Sequence, residues 1–247
     1  IETAFGAAPH LADLITLIGA HTAARKVDVF TYSAGGTVGS DGLARLARED
    51  PQAAARLGEV YHAAPDADTR AFVDDLAAYA PMAERVTTAV NLGDSALRLA
   101  QVINGASRAG RPDLRELSPE ASDWLLAAAA KGDTDILQIR PETMPDLSSR
   151  SHTFWYDDPW VSSDLLVAIL FQMTPAEREL VAGTAPSGAT YWTFPPDYPD
   201  RVPVIADRLH PGGLDVDHRK GALVEQGRAL RRGEQRPAAI GLLTDAR

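Results

Sequence analysis

Apolar positions along the first two thirds of the chain follow two alternating periods. Short apolar and β-branched runs predict four strands, at residues 27–32, 59–64, 85–92 and 135–139. Around these runs, apolar residues recur every three or four positions, which predicts helices at residues 10–24, 36–48, 69–79, 96–103, 118–130 and 159–172. Strands that alternate with helices of this length predict an α/β fold, a mostly parallel sheet with helices on both faces.

Residues 190–201 (TYWTFPPDYPDR) break this alternation, because the segment is rich in aromatic residues and prolines. We predict an irregular, ordered arm there. Residues 218–236 are rich in charge, which predicts a solvated helix or a loose tail.

A serine stands where the first predicted strand gives way to a helix. In a parallel sheet with right-handed crossovers, all strand-to-helix turns lie at one edge, where α/β proteins bind ligands. Ser33 lies in such a turn, with Thr31 and Gly35 two residues away on either side. Small residues around a serine at a sharp turn are typical of a nucleophile elbow. The backbone N–H of Ala34 is then a candidate oxyanion donor.

An acid and a histidine follow Ser33 in the chain order that such an elbow requires. Asp94 comes directly after the third predicted strand, and His152 lies in the loop after the fourth. The order Ser, Asp, His at strand ends predicts a catalytic triad. Each residue also has a structural interpretation, because Asp94 can cap the helix that follows it and a loop histidine is commonly a surface residue.

The sequence also contains candidates for a phosphate site and a metal site. The glycines after Ser33 could form a phosphate cradle, although their spacing departs from a dinucleotide fingerprint. His62, Asp66 and Asp68 could bind a metal, but they make a thin ligand set, and His62 is better interpreted as a buried, hydrogen-bonded residue. Asp66, after the second predicted strand, is also the reserve acid of the triad, that is, the alternative to Asp94.

Composition and charge narrow the function classes. The 247 residues are 45% hydrophobic and carry a net charge of −10, which predicts a soluble globular protein and argues against nucleic acid or an anionic membrane as partner. The absence of cysteine excludes thiolate chemistry and leaves both cytoplasm and exterior possible. No apolar run is long enough to predict a membrane span, and no signal peptide is recognisable.

The chain resembles the α/β-hydrolase superfamily, in particular a branch of uncharacterised bacterial serine esterase-like or lipase-like proteins. The resemblance covers about residues 7–172 and rests on four segments: VDVFTYSAGG, HAAPDADTRAF, RVTTAVNLGDSALRLAQ and SHTFWYDDPWVSSD. It implies a triad of Ser33, Asp94 and His152, no cofactor, and hydrolysis of a small-molecule ester or related acyl bond. Residues 1–172 would then be the hydrolase core from the elbow onward, and residues 173–247 an arm and charged extension packed on it.

The same resemblance implies that N-terminal strands are missing. About four strands precede the nucleophile strand in this superfamily, and an early one is followed by the loop that supplies a second oxyanion N–H. Here only one predicted helix precedes Ser33, so we expect the other strands in a second fragment, in residues outside this sequence, or in a partner chain. Two alternatives to catalysis remain: a hydrolase-fold binding or assembly protein, and a phosphate-binding or nucleotide-binding α/β domain.

Overall fold

The computed structural model describes residues 6–186 and 188–209. The described elements belong to one compact unit, Ile1–Ile205, except for the end of the last helix, which lies in a second unit, Ala206–Arg247. The predicted charged helix or tail at residues 218–236 lies outside the described residues.

Six strands form one sheet in the order β1-β2-β3-β4-β6-β5. Their bounds are β1 Val27–Tyr32, β2 Leu57–Ala63, β3 Arg85–Val90, β4 Asp135–Gln138, β5 Val181–Thr184 and β6 Thr190–Thr193. All neighbouring pairs are parallel except β5 and β6, which are antiparallel. This mostly parallel sheet confirms the predicted fold class, and all four predicted strands are present.

Nine α-helices are described: α1 Ala8–His21, α2 Gly35–Glu49, α3 Pro51–Ala54, α4 Thr69–Tyr79, α5 Ser95–Asn104, α6 Pro119–Lys131, α7 Phe154–Asp157, α8 Pro159–Phe171 and α9 Tyr198–Leu209. Helix α6 begins as its sequence predicts, because the Ser118 hydroxyl accepts a hydrogen bond from Ala121 N–H and Pro119 occupies the first helical position.

The main apolar core lies between one face of the sheet and helices α1, α2 and α4. It is built from Ala12, Ile15, Leu43, Leu46, Leu57, Val60, Phe72, Leu76, Tyr79 and Val86, among others, all buried. Helix α8 packs on β2. Along this strand, successive side chains point to opposite faces of the sheet, so Glu59 and Tyr61 lie on one face and Val60 and His62 on the other. The sheet therefore has helices on both faces, and the whole of β2 is buried.

Residues 190–201 are not the irregular arm that the sequence predicted. Residues 190–193 form β6, whose Trp192 is paired in register with Leu137 of β4, and α9 begins at Tyr198. Phe194 and Tyr198 are buried. Because β6 has only four residues and is followed by two prolines, its strand conformation depends on pairing with β4, which a local pattern does not contain. Two strands thus follow residue 172 and extend the same sheet.

Buried ionisable side chains lie on and beside β2. The guanidinium of Arg178 forms an ion pair with Asp164 of α8, and both side chains are completely buried. Glu59 is also completely buried and accepts a 2.6 Å hydrogen bond from the Thr87 hydroxyl. Burial raises the pKa of Glu59 to about 8. Glu59 is therefore mostly protonated at neutral pH.

Candidate active site

The turn after β1 holds Ser33 in a backbone conformation that few non-glycine residues adopt. Its φ is 52°, in the left-handed region, and its carbonyl accepts hydrogen bonds of 2.8 Å from Gly36 N–H and from Asp66 N–H. Helix α2 begins two residues later, at Gly35. Thr37 N–H donates to the Ala34 carbonyl at 3.2 Å, so the N–H groups of Ala34 and Gly35 are the ones left without a backbone partner among the described residues.

Thr31, two residues before Ser33, is accommodated by a glycine on α2. A Cβ on Gly39 would lie 2.5 Å from Thr31 Cγ2, far inside van der Waals contact. The Thr31 hydroxyl is 2.6 Å from His62 Nδ1, and His62 Nε2 is 2.7 Å from the Tyr79 hydroxyl. Strand β1 therefore accommodates a side chain at position 31 because α2 has none at position 39.

His62 is the buried, hydrogen-bonded residue that the sequence predicted. Burial lowers its pKa to about 3, so the ring is neutral, and both ring nitrogens are engaged by Thr31 and Tyr79. Within residues 6–186 and 188–209, no group of three or more His, Asp or Glu side chains is arranged to hold a metal ion.

The glycines after Ser33 allow close packing of α2 against its neighbours. A Cβ on Gly36 would lie 2.5 Å from Pro65 Cβ, and one on Gly42 would lie 2.8 Å from the carbonyl oxygen of Ala8. The space beside these glycines, like that beside Gly39, is filled by protein atoms. Gly36, Gly39 and Gly42 are therefore explained by the close packing of α2.

Ser33, Asp94 and His152 meet at the carboxyl edge of the sheet, although 119 residues separate the serine from the histidine. His152 Nε2 is 2.8 Å from Ser33 Oγ, and His152 Nδ1 is 2.7 Å from Asp94 Oδ2. In the neutral imidazole this arrangement requires the proton on Nδ1, because a carboxylate only accepts, and Nε2 then accepts from the serine hydroxyl. Asp94 is completely buried, whereas 16% of the His152 side chain is exposed.

Asp94 also has the structural role that its position suggested. Its second oxygen, Oδ1, accepts a 2.9 Å hydrogen bond from Leu97 N–H and caps helix α5. The structural and chemical interpretations of this residue are therefore compatible, because each uses a different carboxylate oxygen.

The loop that carries His152 is fixed to the turn that carries Asp94. The Asn91 side chain donates a 2.7 Å hydrogen bond to the carbonyl of Ser151, and the carbonyl of Arg150 accepts from Ser95 N–H at 3.3 Å. A Cβ on Gly93 would lie 2.1 Å from the Ser149 carbonyl oxygen. Sequence reasoning missed Asn91 and Gly93, whose signal was the polar, glycine-containing turn Asn-Leu-Gly-Asp.

The reserve acid is not brought to the histidine. Asp66 Oδ1 accepts a 2.6 Å hydrogen bond from Arg108 Nε, and the Asp66 carbonyl accepts from the same guanidinium at 2.8 Å. The Thr37 hydroxyl also donates to that carbonyl. Asp66 therefore holds the turn after β2 in place.

Aromatic rings pack beside the His152 imidazole. The centroid of the Tyr32 ring lies 5.1 Å from that of His152, and Tyr32 also contacts Trp155 and Tyr156. Burial is the main cause of a raised pKa at Tyr32, so its phenol is neutral. Phe154, which precedes Trp155 and Tyr156 in α7, is buried. Trp160, in the first turn of α8, packs against Phe194 and Tyr198.

Comparisons with known proteins give one match. A family model described as an alpha/beta hydrolase of unknown function (DUF900) matches residues 2–150, which include Ser33 and Asp94 and end just before His152. No curated protein and no solved structure matches the chain. None of the helices in the described part of the chain has the length and apolar character needed to cross a membrane. Since the match covers more than half of the 247 residues, the chain belongs to this family of α/β hydrolases of unknown function.

Proposed function

We propose that the protein is a serine hydrolase that cleaves a carboxylic ester or a related acyl bond. The observation that carries this proposal is the pair of hydrogen bonds made by His152, to Ser33 Oγ at 2.8 Å and to Asp94 Oδ2 at 2.7 Å. The base is within hydrogen-bond reach of both the nucleophile and the orienting acid, as nucleophilic catalysis requires.

In the proposed reaction, Ser33 Oγ attacks the acyl carbonyl while His152 Nε2 takes the hydroxyl proton. The tetrahedral intermediate collapses as its bond to the leaving alkoxide breaks, and His152 returns the proton to the departing alcohol. Water then attacks the acyl-enzyme with His152 again as base, releasing the carboxylic acid and restoring Ser33. Asp94 keeps the imidazole in the required tautomer and stabilises the imidazolium.

The backbone around Ser33 supports the same assignment. The left-handed conformation of Ser33 is a strained arrangement of the kind found at functional sites. Ala34 is exposed and immediately precedes α2, so its N–H can donate to an oxyanion that forms at the attacked carbonyl. The helix dipole of α2 adds positive potential at this point.

The test is covalent labelling with a fluorophosphonate, read by intact mass. The wild-type protein is expected to gain one adduct, which is absent from Ser33→Ala. The matched control is Ser122→Ala, which removes a serine of α6 and is expected to leave labelling unchanged. Asp94→Asn is expected to slow labelling, because the imidazole loses its orienting carboxylate.

Two results would overturn the proposal. An adduct that persists in Ser33→Ala would show that another side chain reacts. A wild-type protein that is folded by circular dichroism but takes up no label would favour a hydrolase fold that is used for binding.

A further inference from the structure

Helix α5 presents apolar side chains to solvent. Leu97 is its one buried residue, whereas Leu99, Val102 and Ile103 are 61%, 76% and 72% exposed. Residues three and four positions apart lie on one side of a helix, so Leu99, Val102 and Ile103 form a continuous surface, here called the α5 apolar face. Leu92, in the turn just before α5, is also exposed. A contiguous exposed apolar surface is a candidate interaction site.

A basic cleft lies beside this face. A cavity of about 600 Å³ separates α5 from residues 111–115, and Arg98, Arg111 and Arg115 line it together with Val102. Val102 is thus common to the cleft and the α5 apolar face.

The charge of this cleft is positive. Arg111 donates to the carbonyl of Leu92 and to the side-chain oxygen of Gln101, both neutral groups. Arg98 forms no ion pair with a described residue, and Arg115 is paired with Asp113 at 2.6 Å. Glu116, next in the chain, accepts hydrogen bonds from Ser107 and does not line the cleft, although its carboxylate still attracts Arg115. Three arginines against Asp113 leave two positive charges, in a chain whose net charge is −10.

This combination fits a bilayer better than a protein or a free anion. A free anion would be bound by the arginines but would leave the α5 apolar face exposed. The face has only three aliphatic side chains and no aromatic one, which is small for a stable protein interface. A helix with exposed aliphatic residues flanked by arginines has the features of an interfacial helix, whose aliphatic residues enter the acyl region while guanidinium groups contact phosphates.

We propose that the α5 apolar face docks the protein on the surface of an anionic phospholipid bilayer, with lipid phosphates in the arginine cleft. The net charge argued against such a partner for the chain as a whole, but the charges of this cleft are locally of the opposite sign. Asp94 is the cap of α5, so the docked helix would start at the candidate active site. Docking itself does not require Ser33 to react.

The test is co-sedimentation of the full 247-residue chain with vesicles. One set contains phosphatidylcholine alone, and the other contains equal parts of phosphatidylcholine and phosphatidylglycerol. We expect binding to the anionic vesicles and little binding to the neutral ones. Replacing Leu99, Val102 and Ile103 by Ser is expected to weaken binding at least about a hundredfold. The double variant Arg98→Gln/Arg115→Gln is expected to weaken it about thirtyfold, and to remove most of its salt dependence.

Control variants separate docking from general stickiness and from misfolding. Leu166→Ser/Leu170→Ser removes two comparably exposed residues of α8 and is expected to leave vesicle binding unchanged. Thermal unfolding by circular dichroism checks that each variant is folded, and Ser33→Ala is expected to bind vesicles like the wild type. That last result keeps the docking test independent of the proposed hydrolysis.

Several outcomes would overturn the proposal. These are absence of vesicle binding, equal binding to neutral vesicles, and unchanged binding by the triple serine variant. Binding of inorganic phosphate without vesicle binding would make the cleft a free-anion site. A wild-type dimer that becomes a monomer in the triple serine variant would assign the face to a second copy of the chain.

Discussion

The contact between Thr31 and Gly39 predicts a measurable coupling between the elbow strand and helix α2. Gly39→Ala places a methyl group 2.5 Å from Thr31 Cγ2 and 3.4 Å from His62 Cε1. Thr31→Ser removes Cγ2 but keeps the hydroxyl that is bonded to His62. The double variant therefore exchanges one methyl group across the interface, whereas each single variant leaves either a clash or a gap.

The magnitude follows from two opposing effects on the free energy of unfolding. A methyl group forced into a packed core costs about 1–3 kcal/mol, while alanine stabilises a helix interior by about 1 kcal/mol relative to glycine. Gly39→Ala alone is thus expected to destabilise by up to about 2 kcal/mol. In the Thr31→Ser background the clash is absent, so the same change is expected to be neutral or stabilising. The coupling energy is then about 1–3 kcal/mol.

Urea unfolding of the four proteins, followed by circular dichroism, measures this coupling as a double-mutant cycle. Effects that add to within about 0.5 kcal/mol would show that the two side-chain positions do not compete for space. The explanation of how this elbow accepts threonine would then be wrong.

Three further predictions concern the proposed triad and the buried ionisable groups. Asp94→Asn is expected to lower kcat/KM for a p-nitrophenyl ester by about 10⁴-fold through the wrong imidazole tautomer, and unchanged activity would exclude the proposed role. The melting temperature should change little, because asparagine can still cap α5. Burial raises the pKa of Glu59 from 4.5 to about 8, so between these pH values the folded protein holds a proton that the unfolded chain has lost. The free energy of unfolding therefore falls as pH rises through this interval, by at most about 1.4 kcal/mol per pH unit. Relative to the wild type, Glu59→Gln should therefore gain stability in urea titrations between pH 5 and pH 8, and a constant difference would contradict this. Arg178→Met should destabilise the folded protein by about 3–5 kcal/mol, because it leaves the Asp164 charge buried without a partner. Adding Asp164→Asn should restore part of this loss. A single variant as stable as the wild type would contradict a stabilising role of the ion pair.

The sequence was most informative where a structure depends on local pattern. Strand β1 and helix α4 have the predicted bounds, because each combines an apolar period with clear ends. Ser33, Asp94 and His152 could be named together because parallel topology fixes which edge of the sheet receives each loop.

Features that depend on distant contacts could not be derived from local pattern. Strand β6 has its conformation through Trp192, which pairs with β4 and donates a hydrogen bond to Asp135. The ion pair of Arg178 could not be predicted, because its partner Asp164 lies on α8, 14 positions earlier in the chain. The packing of Thr31 against Gly39 likewise depends on a contact with the following helix and not on local pattern.

The double hydrogen bonding of Asp94 links the position of a helix to the geometry of the proposed proton transfer. One carboxylate oxygen fixes the first turn of α5 and the other fixes the imidazole of His152, so the helix and the ring cannot be displaced independently. A displacement of α5 would therefore change the geometry of the hydrogen bond between His152 and Ser33. Substitutions that loosen the start of this helix should therefore change turnover without touching any residue that meets the substrate.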